Sequence, residues 1–291
     1  MERNVILVDF SFAKYVTDVK SVSSFLTPPF WKRLQSLFTH KVYLRDNSKL
    51  EDIVAGADVI VMFDTRKDYD LVASRIESVC KPTAKLIFYS WNPIIDSDAH
   101  TRLGKRWLKT TFSKEDALAY NFEYVGSFYF SKQPTKKLPI KYDGFFIGCD
   151  KGRRELLHNV ATLYERKQLL SKVILVDNRK ALFDKHYSWR MDYTEVCKYV
   201  MESNSVIEIL QDGQEGISLR VFESLFFEKK LVTNNRHIVD YDFYDSRNVF
   251  ILGIDDEARF KEFILSPYIK VDEEILSRYR MHNWLNKMLS L

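Results

Sequence analysis

Residues 144–154 read GFFIGCDKGRR, an apolar run that passes directly into glycine and basic residues. Two phenylalanines and an isoleucine between glycines are typical of a short buried strand. The residues after the turn favour a long helix, so we predict a strand over 144–148 and a helix over 153–170. A strand that leads through a short loop into a helix is the building unit of a parallel sheet.

The same alternation of apolar runs and amphipathic stretches extends along the whole chain. We predict further strands at 5–9, 41–44, 58–63, 85–89, 172–177, 205–210, 231–233 and 249–252. Helical spacing is found at 30–38, 69–80, 193–201 and 218–227, and the stretch 271–291 is amphipathic. Because several strands are apolar throughout, we expect mainly parallel sheets that are covered on both faces. The fold class is therefore α/β, with two Rossmann-like domains.

We place an N-terminal domain at 1–138 and a second domain at 139–270, because the alternation restarts after a lysine- and proline-containing connector. The stretch 271–291 is then a C-terminal helix, which we expect to pack back on the N-terminal domain.

Composition excludes several classes of protein. The chain has 291 residues, of which 46% are hydrophobic and 29% charged, with only 9 glycines and 7 prolines, which excludes collagenous and disordered chains. The net charge is +4, and no block of consecutive basic residues predicts a nucleic-acid partner. No apolar run is long enough to span a bilayer, the N-terminus lacks an export signal, and the three cysteines form no disulfide framework. We therefore expect a cytoplasmic protein.

The glycines exclude the common nucleotide-binding motifs. No two glycines are two positions apart, as the dinucleotide-binding fingerprint requires, and a Walker-type phosphate loop is missing as well. Two strand-to-helix junctions still suit a phosphate. At the first, residues 148–154, Lys151 and Arg153 add charge to the N-terminus of a helix.

The second junction, residues 211–223, reads QDGQEGISLRVFE. Ser218 is a suitable N-cap, and Arg220 and Glu223 lie three residues apart on one face of the following helix. In a parallel sheet, ligands bind beyond the carboxyl ends of the strands, where both junctions should lie. The alternative, ordinary helix capping and a surface ion pair, stays open for each junction taken alone.

Residues 214–235, with the pattern QxGxSLRxxESLFFxKKLVTNN, resemble bacterial glycosyltransferases of surface-polysaccharide assembly, such as those for capsule, lipopolysaccharide and exopolysaccharide. The stretches 241–250 and 112–117 carry a weaker form of the same resemblance. The resemblance implies the GT-B arrangement, in which two Rossmann-like domains face each other across a cleft. The first domain of these enzymes mainly binds the acceptor, and the second binds the nucleotide-sugar.

By the same resemblance, Glu223 hydrogen-bonds the ribose of the donor, and Ser218, Leu219 and Arg220 contact its diphosphate. Gln214 and Gly216 belong to the same motif, and Lys151 and Arg153 complete the cradle. The implied activity is transfer of a hexose from a UDP-sugar to a glycan or lipid-linked glycan, without a metal ion or other cofactor.

The general base is not fixed by the sequence. An inverting transferase needs a side chain that accepts the proton of the acceptor hydroxyl, whereas a retaining one can do without it. Asp9, Asp64 and His100 are the candidates, since each follows a predicted strand, and a capping or loop-anchoring role is open for all three.

Three Asp-x-Asp pairs (68/70, 96/98 and 240/242) raise metal binding as an alternative. Asp96 and Asp98 are the best placed of these, because they follow a predicted strand, although we expect no metal site.

Aromatic residues at 25–31 are followed by Lys32 and Arg33. We assign them to the core, with contact to a lipid-linked acceptor or to the inner face of the plasma membrane as the alternative. Two rival functions also remain, a GT-B-like sugar-nucleotide epimerase and a non-catalytic nucleotide-sugar-binding protein.

Overall fold

The computed structural model describes residues 3–26, 45–65, 68–94, 98–131, 137–211 and 216–291. The chain divides into two compact units, of which the first comprises residues 1–131 and 281–291 and the second residues 132–280. The predicted helix at 30–38 and the predicted strand at 41–44 lie outside the described residues.

The first unit is built on a six-stranded parallel sheet with the order β2-β1-β5-β6-β7-β8. Its strands are β1 (Val5–Val8), β2 (Lys20–Val22), β5 (Val59–Phe63), β6 (Lys85–Ser90), β7 (Trp107–Thr111) and β8 (Glu123–Tyr124), and two further strands, β3 (Phe25–Leu26) and β4 (Arg45–Asp46), pair antiparallel. The described helices of this unit are α1 (Leu50–Val54), α2 (Tyr69–Val79), α3 (Lys114–Tyr120) and α9 (Met281–Ser290).

The second unit has its own six-stranded parallel sheet, with the order β11-β10-β9-β12-β13-β14. Its strands are β9 (Tyr142–Gly148), β10 (Ser171–Val176), β11 (Tyr187–Ser188), β12 (Ser203–Glu208), β13 (Lys230–Thr233) and β14 (Val249–Ile251). Its helices are α4 (Arg154–Arg166), α5 (Tyr193–Met201), α6 (Leu219–Phe226), α7 (Phe260–Leu265) and α8 (Glu273–Arg278). Counted from its first strand, this order is 3-2-1-4-5-6, that of the Rossmann fold.

The predicted α/β class with two Rossmann-like parallel sheets is confirmed. Successive residues of the central strands are buried on both faces of each sheet, as in Ile6, Leu7 and Val8 of β1. This is why those strands read as continuous apolar runs instead of an alternating pattern.

Two helix predictions need correction. The helix expected to reach residue 170 ends at Arg166, because Gln168 adopts a left-handed conformation (φ 57°) and the amide of Leu169 bonds the carbonyl of Tyr164. This is the Schellman type of helix ending, here without its usual glycine. The single helix expected at 271–291 is two helices, because the Met281 amide donates 3.0 Å to the carbonyl of Tyr129 in the first unit.

Candidate functional site

The most polar part of the second sheet lies at the carboxyl ends of β9 and β12. These two strands are neighbours, and the chain leaves them toward β10 on one side and toward β13 on the other. Such a reversal of strand order opens a crevice beyond the strand ends, where open α/β sheets bind their ligands. Both junctions singled out in the sequence start there, the first after Gly148 and the second after Glu208.

Arg220 is fixed against the end of β9. Its Nε and Nη2 donate to the carbonyl of Ile147 (3.1 and 2.8 Å), and its Nη1 donates to Glu223 Oε2 (2.5 Å). The Arg220 side chain is 19% exposed, so it is largely but not completely buried. Burial opposes its charge, but the Glu223 carboxylate raises the pKa of Arg220 overall.

Arg153 reaches the same strand ends from the first junction. Its guanidinium donates to the carbonyls of Ile209 (2.5 Å) and Cys149 (2.7 Å) and lies over the ring of Phe146. Burial lowers the pKa of Arg153, and the charge of Arg220 lowers it further. That mutual repulsion is the mark of two like charges held close together, an arrangement that favours a bound anion.

Glu208, which sequence reasoning missed, joins three elements beneath these arginines. It is 1% exposed at the end of β12, and its Oε1 accepts from both the amide (3.2 Å) and the hydroxyl (2.6 Å) of Ser218. Its Oε2 accepts from the hydroxyl of Thr233 in β13 (2.7 Å), and burial raises the pKa of Glu208. The missed signal is one acidic residue inside the apolar run 206–210, because a buried glutamate is almost always paired.

Glu223 is completely buried at 0% exposure. One carboxylate oxygen accepts from Arg220, whereas Oε1 has no hydrogen-bond partner among the residues that the structure describes. A buried oxygen without a partner is costly, so it marks a place where a further donor would be stabilising. Because Glu223 is completely buried, a ligand can reach it only if neighbouring side chains move.

The other predicted donor residues surround this group. Ser218 caps α6 as expected, since its Oγ accepts from the Arg220 amide (3.2 Å), and Leu219 is the first helical residue. Gly216 has a positive φ of 82°, and its carbonyl accepts from Asn235 Nδ2 (3.0 Å). Lys151 is exposed in the first junction with φ 46°, while Gln214 lies outside the described residues.

Asp9 and Asp64 follow adjacent strands of the first sheet, β1 and β5, so the fold brings them to one edge. Asp9 is 4% exposed, and its carboxylate accepts from the amide and the hydroxyl of Ser24, both at 2.6 Å. With φ 59° it also turns the chain out of β1. These contacts anchor the loop to β2.

Asp64 is half-buried and accepts from several donors of the loop after β6. The amides of Trp91 and Asn92 donate at 3.0 Å each, and Asn92 Nδ2 at 3.1 Å. Burial raises the pKa of Asp64 to about 6, although these hydrogen bonds favour its charged form. A carboxylate with a pKa near neutrality suits general acid–base chemistry.

His100 contacts a different part of the first unit. Its ring packs edge-on against Tyr120 (4.8 Å) and Phe122 (5.7 Å), around the end of α3 and the start of β8.

The Asp-x-Asp pairs are largely engaged in structural contacts. Arg102 binds both Asp70 (2.5 Å) and Asp98 (2.7 Å), and Arg278 binds Asp242 (2.8 Å), whereas Asp96 lies outside the described residues. No group of three His, Cys, Asp or Glu side chains with metal-binding geometry occurs in the part of the chain that the structure describes.

Of the aromatic residues at 25–31, Phe25 lies in β3, and Phe30 and Trp31 lie outside the described residues. In the described residues no helix is both long enough and apolar enough to cross a bilayer.

No protein-family model matches the sequence, and no curated protein is significantly similar to it.

Proposed function

We propose that the protein is a glycosyltransferase that moves a sugar from a nucleotide-diphosphate donor, with UDP as the expected nucleotide, to a glycan or lipid-linked glycan. The observation that carries this proposal is the pair Arg153 and Arg220 at the β9–β12 switch point of a Rossmann-ordered sheet. Two guanidinium groups at such a crevice favour a ligand with two adjacent phosphates.

The guanidinium groups have N–H donors that their contacts within the protein do not use and that a ligand could accept. Each guanidinium has five N–H groups, and the contacts to carbonyl oxygens and to Glu223 use three at Arg220. In the proposed step the bond between the anomeric carbon and the diphosphate oxygen breaks, and its electron pair leaves with the diphosphate. The arginines then stabilise a charge that grows in the transition state, and losing one such donor lowers the rate roughly 10²–10³-fold.

Glu223 is the proposed acceptor for a ribose hydroxyl of the donor. Its unpartnered Oε1 supports this role, and its burial implies that the hydroxyl reaches it only when Arg220 turns from Glu223 toward the diphosphate. Donor binding would therefore exchange one charged partner of Arg220 for another.

For an inverting transferase, Asp64 is the best supported of the three base candidates, because its pKa of about 6 leaves it ionised at neutral pH. The acceptor oxygen would form the new bond to the anomeric carbon and pass its proton to Asp64. This step requires the GT-B arrangement, in which the carboxyl edges of the two sheets share one substrate.

Nucleotide binding tests the donor site directly. We expect UDP or a UDP-sugar to raise the melting temperature, since a ligand that binds only the folded state stabilises it by mass action. Arg220→Ala should abolish most of this shift, whereas Arg247→Ala, which removes an exposed arginine paired with Asp245 in the same unit, should leave it unchanged. A wild-type shift in the Arg220 variant would refute the donor site.

Product analysis separates the rival functions. Transfer of radiolabelled sugar to an acceptor supports the transferase, a changed sugar stereochemistry in the recovered nucleotide supports the epimerase, and binding without turnover supports the non-catalytic protein.

A further inference from the structure

The most exposed aromatic side chains of the described residues lie beside the edge strand of the second sheet. Phe183 is 83% exposed and Trp189 is 51% exposed, and they flank β11, the last strand on one side. Large aromatic side chains left in water on a folded surface indicate a contact with another molecule.

The exposed polar residues around these two aromatic side chains are lysine, arginine and histidine. Between Asp177 and Met191, every residue that is exposed is aromatic, basic or histidine, and we call these residues the β11 patch: Lys180, Phe183, Lys185, His186, Trp189 and Arg190. Arg154 extends the patch, because its guanidinium and the Lys180 ammonium both lie over the ring of Tyr187.

The carboxylates of this region are half-buried and hydrogen-bonded. Asp150 accepts from the hydroxyl of Tyr187 (2.5 Å), and Asp177 accepts from the amides of Arg179 (2.9 Å) and Lys180 (3.1 Å). Asp184 accepts from the amide and the ring of His186. Residues 177–191 hold four lysines and arginines against two aspartates, so the β11 patch has a net positive charge.

The backbone of β11 disfavours a partner that adds a strand. The strand has two residues, which pair with Leu175 and Val176 of β10, so its outer side offers few backbone groups. Short edges of this kind, with lysine nearby, are known to resist pairing between sheets. The contact surface is thus formed by side chains.

We propose that the β11 patch docks the protein on an anionic lipid bilayer. Tryptophan and phenylalanine partition into the headgroup region, and lysine and arginine beside them bind anionic headgroups. The patch combines both features, and the two aspartates between residues 177 and 191 are half-buried and hydrogen-bonded. This inference does not depend on the proposed sugar transfer, since it concerns side chains other than those of the donor site.

Sedimentation with vesicles tests the proposal. We expect the full-length protein to bind vesicles of phosphatidylcholine with about one third phosphatidylglycerol, to bind pure phosphatidylcholine vesicles far less, and to be released by high salt. Lys185→Glu with Arg190→Glu should weaken binding at least about 20-fold, because each basic residue contributes about fivefold. Phe183→Ser with Trp189→Ser should weaken it about tenfold or more.

Leu118→Ser is the matched control. Leu118 is 88% exposed on α3, a helix that carries two carboxylates, Glu115 and Asp116, against a single basic residue, Lys114, so this variant should bind vesicles like the wild type. Circular dichroism and the nucleotide-induced thermal shift should be unchanged in the patch variants, which shows that folding and the donor site are intact.

Three results would overturn the proposal. Wild-type protein that ignores anionic vesicles, or patch variants that bind them normally, would remove the lipid assignment. Self-association that is lost in the Phe183/Trp189 variant, without vesicle binding by the wild type, would assign the β11 patch to a second copy of the chain instead.

Discussion

Glu208 and Glu223 balance the charges of Arg153 and Arg220 at the end of the second sheet. Both carboxylates are essentially excluded from water; Glu208 is held by Ser218 and Thr233 of other elements, and Glu223 by Arg220 of its own helix. Such buried charges are sensitive to the loss of a partner, because the remaining group cannot return to solvent. The two glutamates differ in role. Glu208 holds the start of the helix that carries Arg220, whereas Glu223 pairs with Arg220 itself.

We expect Glu208→Ala to lower the free energy of unfolding by about 2–4 kcal/mol, because Ser218 and Thr233 lose their shared acceptor. Glu208→Gln keeps an acceptor oxygen and should recover most of the stability. Burial raises the pKa of Glu208, so the glutamine variant should also lose less stability than the wild type as pH rises above the range of an ordinary glutamate. Chemical denaturation at acidic and neutral pH measures both effects, and equal losses for alanine and glutamine would contradict this role.

Asp64 should make the stability of the first unit depend on pH. Because its pKa is raised from an ordinary 3.8 to about 6, the folded state binds a proton that the unfolded state releases earlier. The stability advantage of the protonated form is therefore complete below about pH 4 and is lost as pH rises through 6, by at most about 3 kcal/mol.

Asp64→Asn cannot titrate, so the difference in melting temperature between this variant and the wild type should shift in favour of the variant between pH 4 and 7. Asp58→Asn is a useful comparison, since hydrogen bonding with Lys81 lowers the pKa of Asp58 and reverses the sign of the effect. A pH-independent difference for Asp64 would show that the carboxyl group titrates normally.

The sequence predicted candidate-site residues that lie close together along the chain better than it predicted their partners from distant parts of the chain. Arg220, Ser218 and Glu223 were found because three-residue spacing and capping chemistry are local. Glu208 was missed because its partners, Ser218 and Thr233, lie 10 and 25 residues away and are brought together only by the sheet. Likewise, the loop that surrounds Asp64 with donors comes from β6, 27 or 28 residues along the chain.

At the scale of elements, the N-terminus of α6 is stabilised in two ways at once. The Ser218 hydroxyl accepts from the Arg220 amide and donates to Glu208, whereas the Asp192 carboxylate at the start of α5 accepts from the Thr194 amide (2.9 Å), away from the candidate site. Comparing substitutions of these two capping residues therefore distinguishes an effect on helix stability from an effect on the geometry of the candidate site.

We expect Ser218→Ala and Asp192→Ala each to lower the free energy of unfolding by about 1–2 kcal/mol, the usual contribution of an N-cap. Only Ser218→Ala should also weaken nucleotide binding, because it removes the hydroxyl that joins the start of α6 to Glu208 and leaves only the weaker amide contact. Denaturation curves and nucleotide titrations of both variants check this. Equal effects on binding would show that Ser218 acts through helix stability alone.

Central elements were predicted more reliably than edges. The helix at 193–201 and the caps Asp192 and Ser218 agree with the structure, as do the central strands within two residues. The sheet strands β2, β7, β8 and β11 were missed, since β7 has a lysine and threonines among its residues and the other three span only two or three residues at the sheet edges. Short or polar strands depend on their neighbours in the sheet, which a local pattern does not reveal.

At the scale of the molecule, helix α9 returns the C-terminal end of the chain to the first unit. Trp284 is 2% exposed, stacks on Phe128 with ring centroids 4.1 Å apart and meets Tyr89 edge-on at 4.8 Å. Met288 is fully buried and contacts Thr110 of β7. The helix covers one face of the first sheet.

We expect Trp284→Ala to destabilise the first unit by about 3–5 kcal/mol, the usual loss for a large buried aromatic side chain. Hydrogen exchange should show faster exchange in β5, β6 and β7, with the strands of the second unit protected as in the wild type. His282→Ala, a change on the exposed side of the same helix, is the control and should leave both units protected. Faster exchange throughout the chain would mean that the two units unfold together.

The return of α9 also sets an order for events on the ribosome. The second unit is complete in sequence at residue 280, whereas the first unit then still lacks the helix that shields Tyr89 and Phe128. The half of the protein that is synthesised first is therefore completed last, against the usual N-terminal-first order of multidomain chains. Until residues 281–291 leave the exit tunnel, its sheet presents a bare aromatic face, the kind of surface that nascent-chain chaperones bind.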